Sequence, residues 1–238
     1  MKSLLKTVNI EARDLPEAHF LSIRELFKNG YLYRIDKSSS GPILRLEFDD
    51  FRMKVIYPGT RPLVPDYRSQ GIPPPVDMKY IEEDYIRYLI TPEKKREEEY
   101  TYGEDLHWQI EWVIRYYKKY GPNLNHCYMT VGRPESLKNY EREGGTSQCL
   151  RGIDTRIRYG ALHFFVYFRS WDLWGGFPAN LAAVQLLKEY MAKEIGVKDG
   201  ELIAYSKGLH LYEHAFGLAF QISGLSKEEV LSDLLPFL

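Results

Sequence analysis

A chain of 238 residues, 44% apolar and 14% aromatic, has enough side-chain volume to bury a substantial core. Its net charge of −1 gives no electrostatic reason to expect nucleic acid as the main partner, and no stretch approaches the roughly 20 apolar residues of a membrane span. Two cysteines, Cys127 and Cys149, are too few for a disulfide framework and lack zinc-site spacing, so the expectation is a metal-free protein of a reducing, cytoplasmic setting.

The opening "MKSLLKTVNIEARDLPEAHF" lacks the long apolar core of a signal peptide. In "DLPEAHFLSIRELFKNG", Asp14 as N-cap, Pro16 in the first turn and Gly30 past the end predict a helix. "PILRLEFDDFRMKVIYPG" alternates apolar and polar residues as a half-buried strand or hairpin does, and the proline-dense "PGTRPLVPDYRSQGIPPP" reads as a long ordered loop. "MKYIEEDYIRYLI" and "LHWQIEWVIRYYKKYG" have helical periodicity with aromatic anchors. "HCYMTVG" and "LHFFVYF" are strand candidates. "PANLAAVQLLKEYMAKEIG" is a helix with a Leu181/Val184/Leu187/Met191 stripe and Gly196 at its end. "ELIAYSKGLHLYEH" reads as a strand that turns at Lys207–Gly208. Strands and helices are interspersed without regular βαβ alternation, which predicts one α+β domain spanning 1–238 on a mixed sheet.

Several residue types along this frame carry chemistry. Cys149 follows the polar "GGTSQ", and Arg151, Arg156 and Arg158 come within ten residues of it; nearby cations favour the nucleophilic thiolate, although a packed small side chain is the alternative. Arg169 and Ser170 end a strand, where a guanidinium fork and a hydroxyl suit an anion as well as they suit a salt-bridged strand end. Asn180, expected in the first turn of its helix, offers a donor and an acceptor together, fit for the imide edge of uracil or for a helix cap. His210 and Tyr212, two apart, share a strand face and could bond a sugar hydroxyl or form an amphipathic edge.

Taken in order, Cys149, "RSWD" from Arg169, Gly176-x-Pro178-x-Asn180 and "HLY" at 210–212 resemble the thymidylate synthase family, most strongly over 149–214 and, with "PGTRPLVPD" and "EEYTYGEDL", its short archaeal branch. The resemblance implies a large mixed twisted β-sheet flanked by helices, packed through its sheets into a homodimer. It implies conversion of dUMP to dTMP, with Cys149 adding to uracil C6 and a carbon passing to C5 from 5,10-methylene-tetrahydrofolate or methylene-tetrahydromethanopterin. Arg169 and Ser170 would then hold the phosphate, with Arg169 favouring the Cys149 thiolate. Asp172 would position base and cofactor, Gly176 would let backbone approach the ring, Asn180 would read the base, and His210 with Tyr212 would take the 3′-hydroxyl. "IDKSSSG" resembles the phosphate loop, with Lys37 in place of the usual arginine. The general base would come from "YIEEDYIRYL", read as Glu83 among Glu82, Glu83 and Asp84, and Tyr102 of "TYGED" matches an active-site Tyr-Gly.

The pattern also departs from the family. Leu150 stands where a histidine is usual, and Asn125 and His126 stand near the place of the arginines donated by the neighbouring subunit, with Arg133 as a substitute. The chain ends soon after His214 and lacks the longer tail that closes over the cofactor, which keeps hydroxymethyl transfer in view as an alternative. A non-catalytic nucleotide- or RNA-binding relative is a second alternative, although binding alone has no need of a thiol.

Overall fold

The computed structural model describes residues 4–36, 42–142 and 145–238. Strand β1 (Thr7–Ala12) leads into helix α1 (Leu15–Asn29), which starts where the Asp14 carboxylate accepts from the Glu17 N–H at 3.0 Å, a cap that contributes about 1 kcal/mol. One face of α1 buries Leu15, Ile23, Leu26 and Phe27, each worth about 2 kcal/mol when taken from water. Strands β2 (Tyr31–Ile35), β3 (Ile43–Glu47) and β4 (Asp50–Val55) follow. After the predicted loop, α2 (Met78–Tyr80), a π-helical turn (Ile81–Tyr85) and α3 (Ile86–Ile90) run on from one another, and α4 spans Gly103–Tyr120. The C-terminal half holds β5 (Tyr128–Thr130), β6 (Leu150–Arg158), β7 (Ala161–Phe168), β8 (Trp171–Asp172), α5 (Gly176–Ile195), β9 (Lys198–Ser206), β10 (Leu209–Tyr212) and α6 (Phe216–Ser223).

The α+β class holds, but the strands form two sheets where one large sheet was expected. A six-stranded mixed sheet runs β1-β4-β9-β7-β6-β5, and a four-stranded one runs β2-β3-β10-β8. The apparent hairpins explain the difference. β3 and β4 are consecutive yet belong to different sheets, and so are β9 and β10; β7 and β8 part in the same way. The chain therefore crosses between sheets five times, twice through helices α1 and α5 and three times through two-residue links at 48–49, 169–170 and 207–208. Main-chain bonds stitch the crossings together: Phe48 N–H donates to the Leu209 carbonyl at 3.0 Å, and Trp171 N–H donates to the Gly208 carbonyl at 2.9 Å. Gly208 is required by closeness, because a Cβ there would meet the Arg169 carbonyl at 3.2 Å.

Helix α5 is the packing centre. The predicted stripe of Leu181, Val184, Leu187 and Met191 is buried, and so are residues on its other sides, as in a helix surrounded by protein. The helix begins at Gly176, two residues before Pro178, because the Asp172 carboxylate accepts from the N–H groups of Gly175 (3.0 Å) and Gly176 (2.9 Å). Gly196 closes it in the left-handed conformation at φ 88°. Among the described residues no helix is long and apolar enough to cross a membrane.

Candidate active site

The seam between the two sheets gathers most of the candidate residues. Cys149 directly precedes β6, and Arg169 directly follows β7, its antiparallel partner. The Arg169 N–H donates to the Cys149 carbonyl at 2.9 Å, and its Nη2 lies 3.8 Å from Cys149 Sγ. Two carbonyls aim the guanidinium: Nε donates to Gln148 at 3.1 Å and Nη2 to Ser147 at 2.6 Å, while the group lies 5.5 Å from the centre of the Tyr140 ring. Much of the fork that was expected to grip an anion thus braces the loop that leads into Cys149. Among the described residues the Ser170 hydroxyl has no hydrogen-bond partner.

Burial pushes the Cys149 thiol up, opposed by the Arg169 charge, a Tyr100 hydrogen bond and the Arg45 charge. The Arg169 charge works toward the thiolate, and desolvation, the larger effect, works toward the thiol. Around it stand Tyr88, Tyr100 and Tyr102, with ring centroids 4.9 Å apart for Tyr88–Tyr102 and 6.0 Å for Tyr100–Tyr102. The Tyr102 hydroxyl accepts from the Leu150 N–H at 3.4 Å, and burial pushes its pKa far above the phenol range, so it keeps its proton. Leu150 itself is wholly buried, packed where the family pattern carries a histidine.

Of the three acids considered for proton transfer, Glu82 and Glu83 are exposed on the π-helical turn. Asp84 instead lines a cavity of about 230 Å³ with Tyr85, Tyr88 and Tyr102, where Lys95 pairs with it at 2.6 Å and holds its carboxyl below the usual range. π-turns recur at functional sites, and on this one Asp84 and Tyr85 both line that cavity, the Asp84 side chain remaining 44% exposed.

Asn180 is the fifth residue of α5, not a first-turn cap, since the helix starts early at Gly176. Its carboxamide is held on both sides: Trp171 Nε1–H donates to Oδ1 at 2.7 Å, and Nδ2 donates to the Tyr85 hydroxyl. Gly176 lies close to Asp172, whose Cβ would be 3.3 Å from any Cβ added there. A cavity of about 510 Å³ opens beside them, lined by Val76, Tyr80, Tyr85, Asp172, Gly175 and Gly176.

On β10, His210 and Tyr212 face the same side with ring centroids 4.8 Å apart. His210 Nδ1 lies 2.8 Å from the Gly208 carbonyl and must donate to it, which leaves Nε2 a bare acceptor, buried and without a partner among the described residues. Burial and the Arg45 charge push this imidazole down to about 4, so it is neutral near pH 7. The Tyr212 hydroxyl accepts from Arg45 Nη2 at 2.9 Å. Lys37 lies outside the described residues. Asn125 and His126 sit apart from this seam, against Arg156 and Tyr116, and the Arg133 N–H donates to Ser136. No group of three or more His, Cys, Asp or Glu gathers for a metal among the described residues.

A sequence profile described as Thymidylate synthase matches residues 109–228, half of the chain. The chain belongs to the thymidylate synthase family. The matched span holds the candidate site from Cys149 to Tyr212, while Tyr102 and the acids at 82–84 precede it. Proteins of Methanosarcina acetivorans and Methanosarcina mazei are each 28% identical over 222 residues, covering 90% of this chain and 93% of their own. A Methanosarcina barkeri protein is 32% identical over 146 residues, 59% of this chain and 65% of its own length. All three carry the name "Putative thymidylate synthase".

Reasoning from sequence missed Arg45, Tyr85, Tyr88, Tyr100 and the part played by Trp171. Signals were present: Tyr100 and Tyr102 alternate, Tyr85 and Tyr88 share a helix face, and Arg45 with Glu47 forms a charged pair on one strand face.

Proposed function

We propose that this chain, as one domain over 1–238, makes dTMP from dUMP by a thiol addition at C6 of uracil. The observation that carries the reading is the approach of the Arg169 guanidinium to Cys149 Sγ at the seam between the sheets. Cys149 supplies the electron pair that forms the S–C6 bond, and the displaced π pair moves toward C5 and the C4 oxygen, where it makes C5 nucleophilic. Loss of the thiol proton is the uphill part, because burial holds the proton on sulphur; Arg169 and Tyr100 lower that barrier. The sulphur leaves C6 again at the end, and the thiol is restored.

Asn180 reads the imide edge, with one N–H and one oxygen lone pair remaining beyond its bonds to Tyr85 and Trp171. The bare, buried Nε2 of His210 suits a ribose hydroxyl donor, and Ser170 with Nη1 of Arg169 suits phosphate oxygens. Asp84 is the group that takes the C5 proton, favoured over Glu83 because it lines the tyrosine-walled cavity, and Tyr102, which keeps its own proton, stands on the same cavity as a hydrogen-bonding group.

The cavity over Gly175 and Gly176, with Tyr80 and Tyr85 as aromatic walls and the Asp172 carboxylate at its edge, fits a flat, hydrogen-bonding pterin ring. Val76, Tyr80 and Asp172 would hold it. When bound, a methylene pterin of the tetrahydrofolate or tetrahydromethanopterin kind supplies a carbon at the oxidation level of formaldehyde and the electrons that bring it to methyl. The homodimer reading is supported by the outer face of the six-stranded sheet, where Tyr128, Tyr167 and Tyr205 are 36–48% exposed and Tyr167 pairs with Tyr205 across the strands.

The test is dUMP tritiated at C5, with methylene-tetrahydrofolate and then its methanopterin counterpart, followed by mass analysis of the nucleotide. Tritium release with a product heavier by one methylene supports the proposal, and Cys149→Ser abolishes it while retaining dUMP binding. A hydroxymethyl product replaces it with the non-reductive reaction. No release from folded protein with either donor overturns it.

A further inference from the structure

The orientation of Asn180 is decided by one neighbour. Trp171 Nε1–H is only ever a donor, so the amide atom facing it at 2.7 Å is the oxygen. The Tyr85 hydroxyl on the other side turns to donate or accept and would tolerate either orientation. The indole cannot swing away, because it is stacked on Phe168 at 4.1 Å and packed against the Phe177 ring, tilted by 33° at 4.5 Å, and its own backbone N–H is tied to Gly208. Both Trp171 and Asn180 are buried. Half a turn of the carboxamide would press its NH₂ against the indole N–H with no water to receive either proton.

Uracil presents N3–H and a C4 carbonyl; cytosine presents a bare N3 and a C4 amino group, the reverse order of donor and acceptor. An asparagine free to rotate could serve both. We propose that Trp171 is a positioning residue that locks Asn180 in the one orientation complementary to uracil, so that selection against cytosine nucleotides rests on the indole N–H as well as on the amide. The inference rests on the nucleotide reading given above and adds a residue whose own side chain touches Asn180, not the base.

Calorimetric titration of dUMP and dCMP into the full-length wild type, Trp171→Phe and Tyr85→Phe tests it. The wild type binds dUMP in strong preference to dCMP. Trp171→Phe narrows that preference by about tenfold or more, through tighter binding of dCMP, because the amide can now invert. Tyr85→Phe weakens both nucleotides and leaves their ratio in place. An unchanged ratio in Trp171→Phe, or an equal narrowing in Tyr85→Phe, overturns the lock. Should the Phe variant not fold, the Trp171 indole proton of the ¹⁵N-labelled wild type decides. Slow exchange retained on adding dUMP supports the lock, and loss of protection overturns it. A wild type that binds no dUMP overturns the nucleotide reading itself, an outcome visible before any substitution is made.

Discussion

The guanidinium of Arg169 stands 3.8 Å from Cys149 Sγ because the backbone N–H of the same arginine is bonded to the cysteine's carbonyl at 2.9 Å. The β6–β7 pairing thus fixes both the charge and the sulphur. Removing the charge leaves burial unopposed by its main counterweight. Arg169→Ala is expected to slow alkylation of Cys149 by iodoacetamide at pH 8 about tenfold, with the thiol titrating higher. An unchanged rate would mean that the sulphur does not feel the guanidinium.

Two buried histidines predict acid sensitivity. His19 bonds Tyr67 at 2.8 Å and the Leu173 carbonyl at 3.0 Å, and burial holds it, like His210, down to about 4. In the unfolded chain each titrates near 6.5, so the unfolded state takes up protons first as pH falls. Stability is fully present above about pH 6.5 and is lost on going down to about pH 4, by up to about 3 kcal/mol per histidine. Urea unfolding between pH 7.5 and 4 should show the decline, and His19→Gln should flatten about half of it. A profile level over that range would contradict neutral burial.

Of the acids on the π-helical turn, Asp84 alone lines the tyrosine-walled cavity. Asp84→Asn is expected to lower tritium release from C5 by about a hundredfold, whereas Glu83→Gln changes it less than threefold. The opposite ranking would return the role to Glu83.

A buried ion pair far from the seam bears on stability alone. Lys188, with no exposed side-chain surface, pairs with Asp199 at 2.9 Å and donates to the Gly200 carbonyl, while Gln185 also donates to Asp199. Asp199→Ala strands a buried ammonium and is expected to cost about 3–5 kcal/mol in denaturant unfolding; Lys188→Met with Asp199→Leu should recover most of it. A loss below about 1 kcal/mol would show the lysine escaping to solvent.

The three longest helices were legible because caps and periodicity act locally: Asp14, Gly30 and Gly196 mark ends that the structure keeps. Strands were read less well. β1 and β2 are short, and the alternation of β6 was hidden by arginines on its solvent side, such as Arg156 and Arg158. Alternation also tells which face a residue occupies and nothing about which sheet it joins, so "PILRLEFDDFRMKV" and "ELIAYSKGLHLY" could be mistaken for hairpins. At the site, ordered spacing brought out Cys149, Arg169, Asn180 and His210, whose polarity is unusual for their positions. Tyr85, Tyr100 and Trp171 are aromatic, and in a sequence an aromatic side chain looks like packing until its polar atom is seen to meet a partner.

β8 has a single neighbour in its sheet, β10, made some forty residues later. The residues up to α5 therefore include both members of the β6–β7 pair that sets the guanidinium beside the sulphur, whereas the partner of the Trp171 backbone, Gly208, and the neighbouring His210 come only later in the chain. In chain order the charge beside Cys149 comes before the strand that seats Trp171, so a chain cut short before Leu209 keeps the first and lacks the second.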